Sequence, residues 1–308
     1  MEKRKIGSLE VSVVGLGCNN FGWRIDAAET TKVVDGAIES GINFFDTADV
    51  YGGGASEEFL GRALGARRKD VVVATKFGLP LDDQRRGGAK PAYIRQAVED
   101  SLRRLGTDRI DLYQLHRPDP ETPIADTLAV LGDLVKAGKV REIGCSNFSA
   151  AQLQEADAAV NSGAARFVSV QNQYSLLHRE PESEVLPEAR KLSIAFIPYF
   201  PLHNGLLTGK YHAGHPLPEG SRGKDSFGPK IFTNENIALA EALEKFAVSH
   251  GHTVLGLAMS WLAAQSGIAS VIAGAKTPEQ VKTNSASAGW KLGTEDLEQV
   301  DHVLLQPA

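Results

Sequence analysis

Two cysteines, Cys18 and Cys145, are all that the 308 residues contain. So few thiols exclude a disulfide framework and fit a reduced compartment, which sets the expectation of a cytoplasmic protein. Clustered positive charge is missing too. The formal net charge is -5, and no stretch of Lys and Arg with aromatics offers a surface for nucleic acid. No apolar run reaches the roughly 18 residues of a membrane span, so none is expected. The basic start, MEKRKIG, is not followed by an apolar segment of signal-peptide length. The pairs His212/His215 and His250/His252 lack carboxylates or cysteines at metal-ligand spacing. They are read as loop and surface residues, and no metal is expected.

What is present is the composition of a globular protein with a sizeable core, 42% hydrophobic and 23% charged. The start, KRKIGSLEVSVVGLG, reads as a hairpin around a Gly-Ser turn. Short Val- and Ile-rich runs then alternate with longer segments of helical spacing. The strands are expected at Val14–Gly17, Asn43–Asp46, Val71–Lys76, Ile110–Leu115, Glu142–Cys145, Phe167–Gln171, Ala195–Tyr199 and Ser270–Ala273. Between them helices are expected at Ala27–Ser40, Ser56–Leu64, Pro91–Leu105, Ile124–Ala137, Ala150–Asn161 and Glu182–Lys191. Two further helices, Asn236–His250 and Val254–Gln265, precede the last strand, and Thr277–Ser285 and Thr294–Leu304 follow it. This α/β pattern has no break in composition. It predicts one domain over residues 1–308, a single (β/α)8 TIM barrel with an N-terminal β-hairpin and extra helices before strand 8 and at the C-terminus. The longest irregular stretch, Pro201 to about Thr233, is expected to be a lid or binding loop.

In such barrels the active site lies at the C-terminal ends of the strands. The second strand delivers Asp46, with Tyr51 just past it. The third delivers Lys76, and His116 follows the fourth. Ser146-Asn147, Gln171 and Tyr199 come from the fifth, sixth and seventh. A single Lys at a strand end is usually just solvated, and a single His is usually a bonded core residue. Their appearance on successive strands, facing one rim, points to chemistry. A phenol ionises near about pH 10 and is a poor acid at neutral pH. The Lys76 ammonium would lower the pKa of Tyr51, and Asp46 would keep that ammonium charged and oriented. His116 would donate to a substrate carbonyl oxygen. Together they make a proton donor for an oxygen that turns negative, which is half of a carbonyl reduction. The other half needs a hydride source. Asp49 is read as a turn residue or pocket rim, Gly52–Gly54 as the exit from the rim, and Ser56 as the cap of the next helix.

The segments "FFDTADVYG", "VVVATKFG", "DLYQLHRPD", "GKVREIGCSNFS" and "SVIAGAKTPEQVKTN" resemble the signature blocks of the aldo-keto reductase superfamily. They occur in family order across nearly the whole chain. The resemblance implies a barrel that binds NADP(H), with NAD(H) as the other possible nicotinamide, in extended form and without a Rossmann domain. It implies a catalytic tetrad of Asp46, Tyr51, Lys76 and His116, with Tyr51 as general acid acting on a small-molecule carbonyl. In the family pattern Ser146, Asn147 and Gln171 hold the nicotinamide carboxamide, and Tyr199 stacks on its ring. Ser146-Asn147 also suits a helix N-cap, and both roles are compatible. The pyrophosphate would meet backbone groups of Leu202 and Leu207 and the charge of Lys210. Gly274, Lys276 and Thr277 open a short helix suited to an anion, with Lys276 near the adenosine 2'-phosphate. Gln280 and Asn284, one helical turn apart, would face the adenosine.

The chain also departs from the family pattern. Phe200 stands where Ser commonly follows the stacking aromatic, Thr283 where Glu is usual, and Cys18-Asn19 where Thr-Trp is frequent. The first two leave a preference for NADPH resting mainly on Lys276. Phe21, Trp23 and Tyr51 are expected to wall the substrate pocket, helped by the loop after Pro201. Because Ala308 follows soon after the last helix, a long C-terminal specificity loop is expected to be absent and the pocket open. A Rossmann fingerprint fails, since Asn20 stands where "GLGCNNFG" needs its third glycine. A metal-dependent hydrolase lacks ligands beyond His116 and Asp46. The alternative function is a cofactor-binding sensor or partner-regulating subunit, as the potassium-channel β subunits of the superfamily are thought to be. Nothing in the sequence sets an oligomeric state.

Overall fold

The computed structural model describes residues 1–81, 87–160, 164–219, 221–225 and 228–305. Strands β1 (Lys3–Ile6) and β2 (Leu9–Ser12) form the antiparallel N-terminal hairpin. The eight parallel strands are β3 (Val14–Gly17), β4 (Phe44–Asp46), β5 (Val72–Phe77), β6 (Ile110–Leu115), β7 (Val140–Ser146), β8 (Ser169–Gln173), β9 (Ala195–Tyr199) and β10 (Val271–Gly274). They pair in chain order, and β10 returns to pair with β3. A single parallel bridge between Phe196 and Ile268 closes the ring, with the Ala269 N–H donating to the Phe196 carbonyl at 3.0 Å. The result is a (β/α)8 barrel.

The helices surround this barrel. They are α1 (Ala27–Glu39), α2 (Ala55–Leu64), α3 (Pro91–Leu105), α4 (Ile124–Lys136), α5 (Ala150–Val160), α6 (Val185–Lys191), α7 (Gly228–Ile231), α8 (Asn234–Ser249), α9 (Val254–Ala264), α10 (Pro278–Ala286) and α11 (Thr294–Leu305). The expected helix from Glu182 begins only at Val185, after a separate 3-10 turn over Glu180–Glu182. The later start keeps Pro187 in the first turn, where its missing N–H costs nothing. The expected end of α5 at Asn161, parts of the long loop and the terminus at Ala308 lie outside the described residues. Within that loop the structure adds a 3-10 segment, His203–Thr208, and the short α7. Neither has an apolar period by which the sequence announces it.

Strand periodicity divides the core in two. Val73 and Phe77 of β5 join the large cluster between barrel and helices, as do Phe45, Tyr113, Val170 and Phe196 on neighbouring strands. The alternate residues Phe44, Val72, Ala74, Leu112, Ile197 and Ile272 point inward and meet Ile6, Leu9 and Val11 of the hairpin. The hairpin therefore plugs the N-terminal end of the barrel. Gly15 leaves room in this inner layer, since a Cβ there would lie 2.8 Å from side-chain atoms of both Phe44 and Ile272. Continuing inward at the same period, the next residues are Asp46, Lys76, Gln114 and Gln171. The apolar plug thus ends in a polar layer at the C-terminal rim.

Candidate active site

Lys76 is fully buried at the top of the barrel. Its Nζ lies 2.5 Å from Asp46 Oδ2, donates to the Thr47 carbonyl at 3.0 Å and reaches the Tyr51 hydroxyl at 3.5 Å. The other oxygen of Asp46, Oδ1, accepts from Gln171 Nε2 at 2.8 Å and Gln114 Nε2 at 3.1 Å. Burial alone would lower the Lys76 pKa. The Asp46 and Tyr51 groups beside it outweigh that, so its pKa lies above the ordinary lysine value. Burial raises the Tyr51 phenol above its ordinary value, although Lys76 pulls the other way. This corrects the expectation of a lowered phenol: desolvation outweighs the neighbouring charge, and Tyr51 holds its proton.

The His116 ring lies edge-on to the Tyr51 ring, with centroids 5.8 Å apart. Burial, with the nearby Lys76 and Arg117 charges, depresses its pKa to about 2. It is therefore a neutral imidazole at any ordinary pH, and its Nδ1 has no hydrogen-bond partner. Tyr51 opens a 3-10 turn in which Gly52, Gly53 and Gly54 take φ of 58°, 66° and 101°. Residues with side chains rarely adopt such φ values. These glycines carry the chain from the phenol into α2 without breaking contact with the rim.

Two local expectations change here. Ser56 does not cap α2. Its hydroxyl donates to the Cys18 carbonyl at 2.9 Å and bonds Thr47 Oγ1 at 2.8 Å, tying β3 and β4 together beneath the rim. Asp49 stands in the turn after β4, as expected, but not on the pocket rim. It is fully buried, with both carboxyl oxygens lacking partners, while its N–H donates to the Lys76 carbonyl at 3.1 Å.

A cavity of about 600 Å³ opens above this layer, within the usual size of small-molecule sites. Asp46, Tyr51, His116, Ser146, Asn147, Gln171 and Tyr199 line one end. Asn147 has φ 60° and donates from Nδ2 to the His116 carbonyl at 3.0 Å, while its Oδ1 accepts from the Tyr199 hydroxyl at 2.9 Å. Ser146 Oγ donates to the Gln171 carbonyl at 2.7 Å. Neither residue caps α5, because Ser149 and Gln152 bond each other's N–H groups there.

Leu202, Lys210, Gly274, Lys276, Gln280 and Asn284 line the cavity further along. Thr277 stays out of it as the N-cap of α10, accepting from the Gln280 N–H. Leu207 is buried outside the lining, and its N–H is taken by the Leu202 carbonyl. Of the three aromatic residues expected to wall the pocket, Tyr51 lines it and the other two lie elsewhere. Phe21 is fully buried in the core, and Trp23 is 60% exposed with the Arg24 guanidinium over its ring at 4.4 Å. The lining takes Arg24 instead, along with Cys18, Asn19 and Asn20.

Several site residues were not anticipated. Gln114 is one strand period before His116, and that alternation was the available signal. Arg117 and Arg222 also line the cavity. Arg222 donates towards Asn20 and Asn204 at 3.3 and 3.4 Å, and an irregular loop gives no pattern from which to place it. At this end cations crowd. Burial lowers the Lys210 pKa, and Lys276 and Arg222 lower it further; Arg222 is likewise lowered by burial and by Arg24.

A closed barrel with a buried ammonium, carboxylate, phenol and imidazole at its C-terminal rim defines an enzyme of the (β/α)8 class. The Aldo/keto reductase family model matches residues 13–305. The chain is 37% identical to the aldo-keto reductase YhdN of Bacillus subtilis, covering 96% of this chain and 91% of that one. It is 35% identical to the aldo-keto reductase yakc [NADP(+)] of Schizosaccharomyces pombe, over 96% and 89% of the two chains. Among solved structures, the glycerol dehydrogenase AKR11B4 from Gluconobacter oxydans superposes with a TM-score of 0.85 at 33% identity, covering 98% and 94%. The aldo-keto reductase AKR11C1 from Bacillus halodurans gives 0.81 at 32%, covering 98% and 96%. The chain belongs to the aldo/keto reductase family and is an oxidoreductase. Among the described residues, no helix is long and apolar enough to cross a membrane.

Proposed function

We propose that the protein reduces aldehydes or ketones to alcohols using NADP(H), with Tyr51 as the proton donor. The observation that carries this reading is the bonded chain from Asp46 through Lys76 to the Tyr51 hydroxyl at the floor of the cavity. The nicotinamide, when bound, supplies a hydride to the carbonyl carbon. As the carbonyl π pair moves onto oxygen, Tyr51 gives that oxygen its proton. Lys76, held charged by Asp46, stabilises the phenolate left behind. His116, as a neutral imidazole, donates a hydrogen bond to the same oxygen without adding a competing charge.

The far end of the cavity suits the cofactor's phosphates. Burial lowers the Lys210 pKa and the Lys276 and Arg222 charges lower it further, a strain that bound anions relieve. Ser146, Asn147 and Gln171 would hold the carboxamide, Tyr199 would stack on the ring, and Gln280 and Asn284 would meet the adenosine. Lys276 favours NADPH over NADH.

Purified protein is expected to oxidise NADPH when given a nitrobenzaldehyde. Tyr51→Phe is expected to lower that rate at least about a hundredfold while NADPH still binds, as titrated by fluorescence. A Tyr51→Phe variant that turns over like wild type removes the general-acid assignment. Tight NADPH binding with no turnover across aldehydes, ketones and sugars replaces this reading with the sensor.

A further inference from the structure

The cavity's positive charge is divided between two places. At the far end Lys276 and Arg222 both act on Lys210, and Arg24 is bridged to Asp225. Arg117 is separate. It follows His116 at the end of β6 and lines the cavity beside the proposed proton donor. Its charge acts on His116 and on the Tyr199 phenol, both of which line the catalytic end of the same cavity. Its side chain is exposed, and no ion-pair or hydrogen-bond partner engages it among the described residues.

The acidic side chains in the lining do not neutralise it. Asp46 is engaged by Lys76, Gln114 and Gln171, and Glu279 sits on α10 with the far-end residues. A guanidinium at the mouth of a reducing site, with no acid of its own, suits a carboxylate, because its fork of donors matches two oxygens. One uncommitted cation matches a single negative charge better than the double charge of a phosphate. The neutral Nδ1-unbonded His116 lies next to it, so a carbonyl can be held there while an acid group on the same molecule reaches Arg117.

We propose that Arg117 is a specificity residue that selects carbonyl substrates bearing a carboxylate. The inference rests on the carbonyl-reductase reading and deepens it by naming the substrate class. It assigns Arg117 to binding: hydride and proton transfer still take place at the carbonyl, with the carboxylate unchanged.

The test compares 4-carboxybenzaldehyde with its methyl ester, which keeps the aldehyde and removes the charge. In the wild type kcat/KM is expected to favour the carboxylate. Arg117→Met should lower the carboxylate-to-ester ratio about tenfold, chiefly through the KM of the acid, as for loss of a charged hydrogen bond. Arg117→Lys should recover part of the ratio, and added salt should erode it in the wild type. A ratio near one in the wild type, or one that Arg117→Met leaves unchanged, overturns the proposal. So does an equal loss on both substrates, which marks a structural role. If neither compound turns over, the carbonyl-reductase reading fails on its own. The Arg117 assignment is then read from binding of the two compounds to the NADP-loaded protein, where equal Kd values overturn it.

Discussion

Asp46 and Asp49 are three residues apart, both buried, and have opposite surroundings. Asp46 accepts from Lys76, Gln114 and Gln171, whereas neither oxygen of Asp49 has a partner. The difference follows from position. Asp46 is the last inward residue of β4, and Asp49 turns back under the rim towards Glu57, Arg104 and Tyr113. Burial, reinforced by Glu57 and opposed by Arg104 and Lys76, pushes the Asp49 carboxyl up to about 7. The folded chain therefore keeps a proton that an unfolded Asp releases near about pH 3.9. The sign follows directly. Stability from this group is complete below the unfolded value and is lost as pH rises through about 7. Asp49→Asn removes this dependence. Between about pH 5 and about pH 8 the wild type should lose more melting temperature than the variant, as scanning calorimetry will read. Equal losses would show that Asp49 does not titrate in this range.

At the scale of elements, the packing of α2 on α3 is set by one missing side chain. A Cβ on Gly61 would lie 2.6 Å from the carbonyl carbon of Leu105 and 2.9 Å from its Cα. Those atoms are backbone at the end of α3 and cannot rotate away. Gly61→Ala gains helix propensity but forces the two helices apart, and overpacking of this kind costs about 1–3 kcal/mol. Urea unfolding should show a lower midpoint for the variant, and an unchanged or raised midpoint would show that the helices part freely. The elements themselves were largely legible in the sequence, because buried parallel strands are short Val- and Ile-rich runs and the helices between them are amphipathic. Among the strands Val14–Gly17, Ile110–Leu115 and Ala195–Tyr199 have the expected bounds, as does the helix Pro91–Leu105, and the other described elements shift at their ends. The inward-facing polar layer was legible for the same reason, since it continues the strand period. What escaped was decided by tertiary contact. Ser56 reads as a cap but bonds across two strands, Phe21 reads as a pocket wall but packs into the core, and Arg222 reaches the cavity from a loop without period.

The molecule as a whole separates stability from chemistry along the barrel axis. Its lower end is sealed by the hairpin, whose Ile6, Leu9 and Val11 fill the interior against Phe44, Val72, Leu112 and Ile272. Arg4 ties the hairpin to the closing seam by donating to the Ile268 carbonyl at 2.8 Å, at the bridge between Phe196 of β9 and the segment that leads into β10. The upper end carries the ammonium, phenol and cavity, and no residue of the hairpin lines that cavity. Leu9 is almost wholly buried, so Leu9→Ala leaves a void that the surrounding strands can only partly fill. The expected cost is about 2–5 kcal/mol, seen as a lower denaturation midpoint. Because the void opens at the sealed end, below the apolar layer, NADPH affinity should stay at its wild-type value under native conditions. Fluorescence titration alongside the unfolding curve checks both halves. A variant that loses stability and cofactor affinity together would mean that the plug and the rim are coupled through the barrel interior, so that the lower end helps to shape the site it lies beneath.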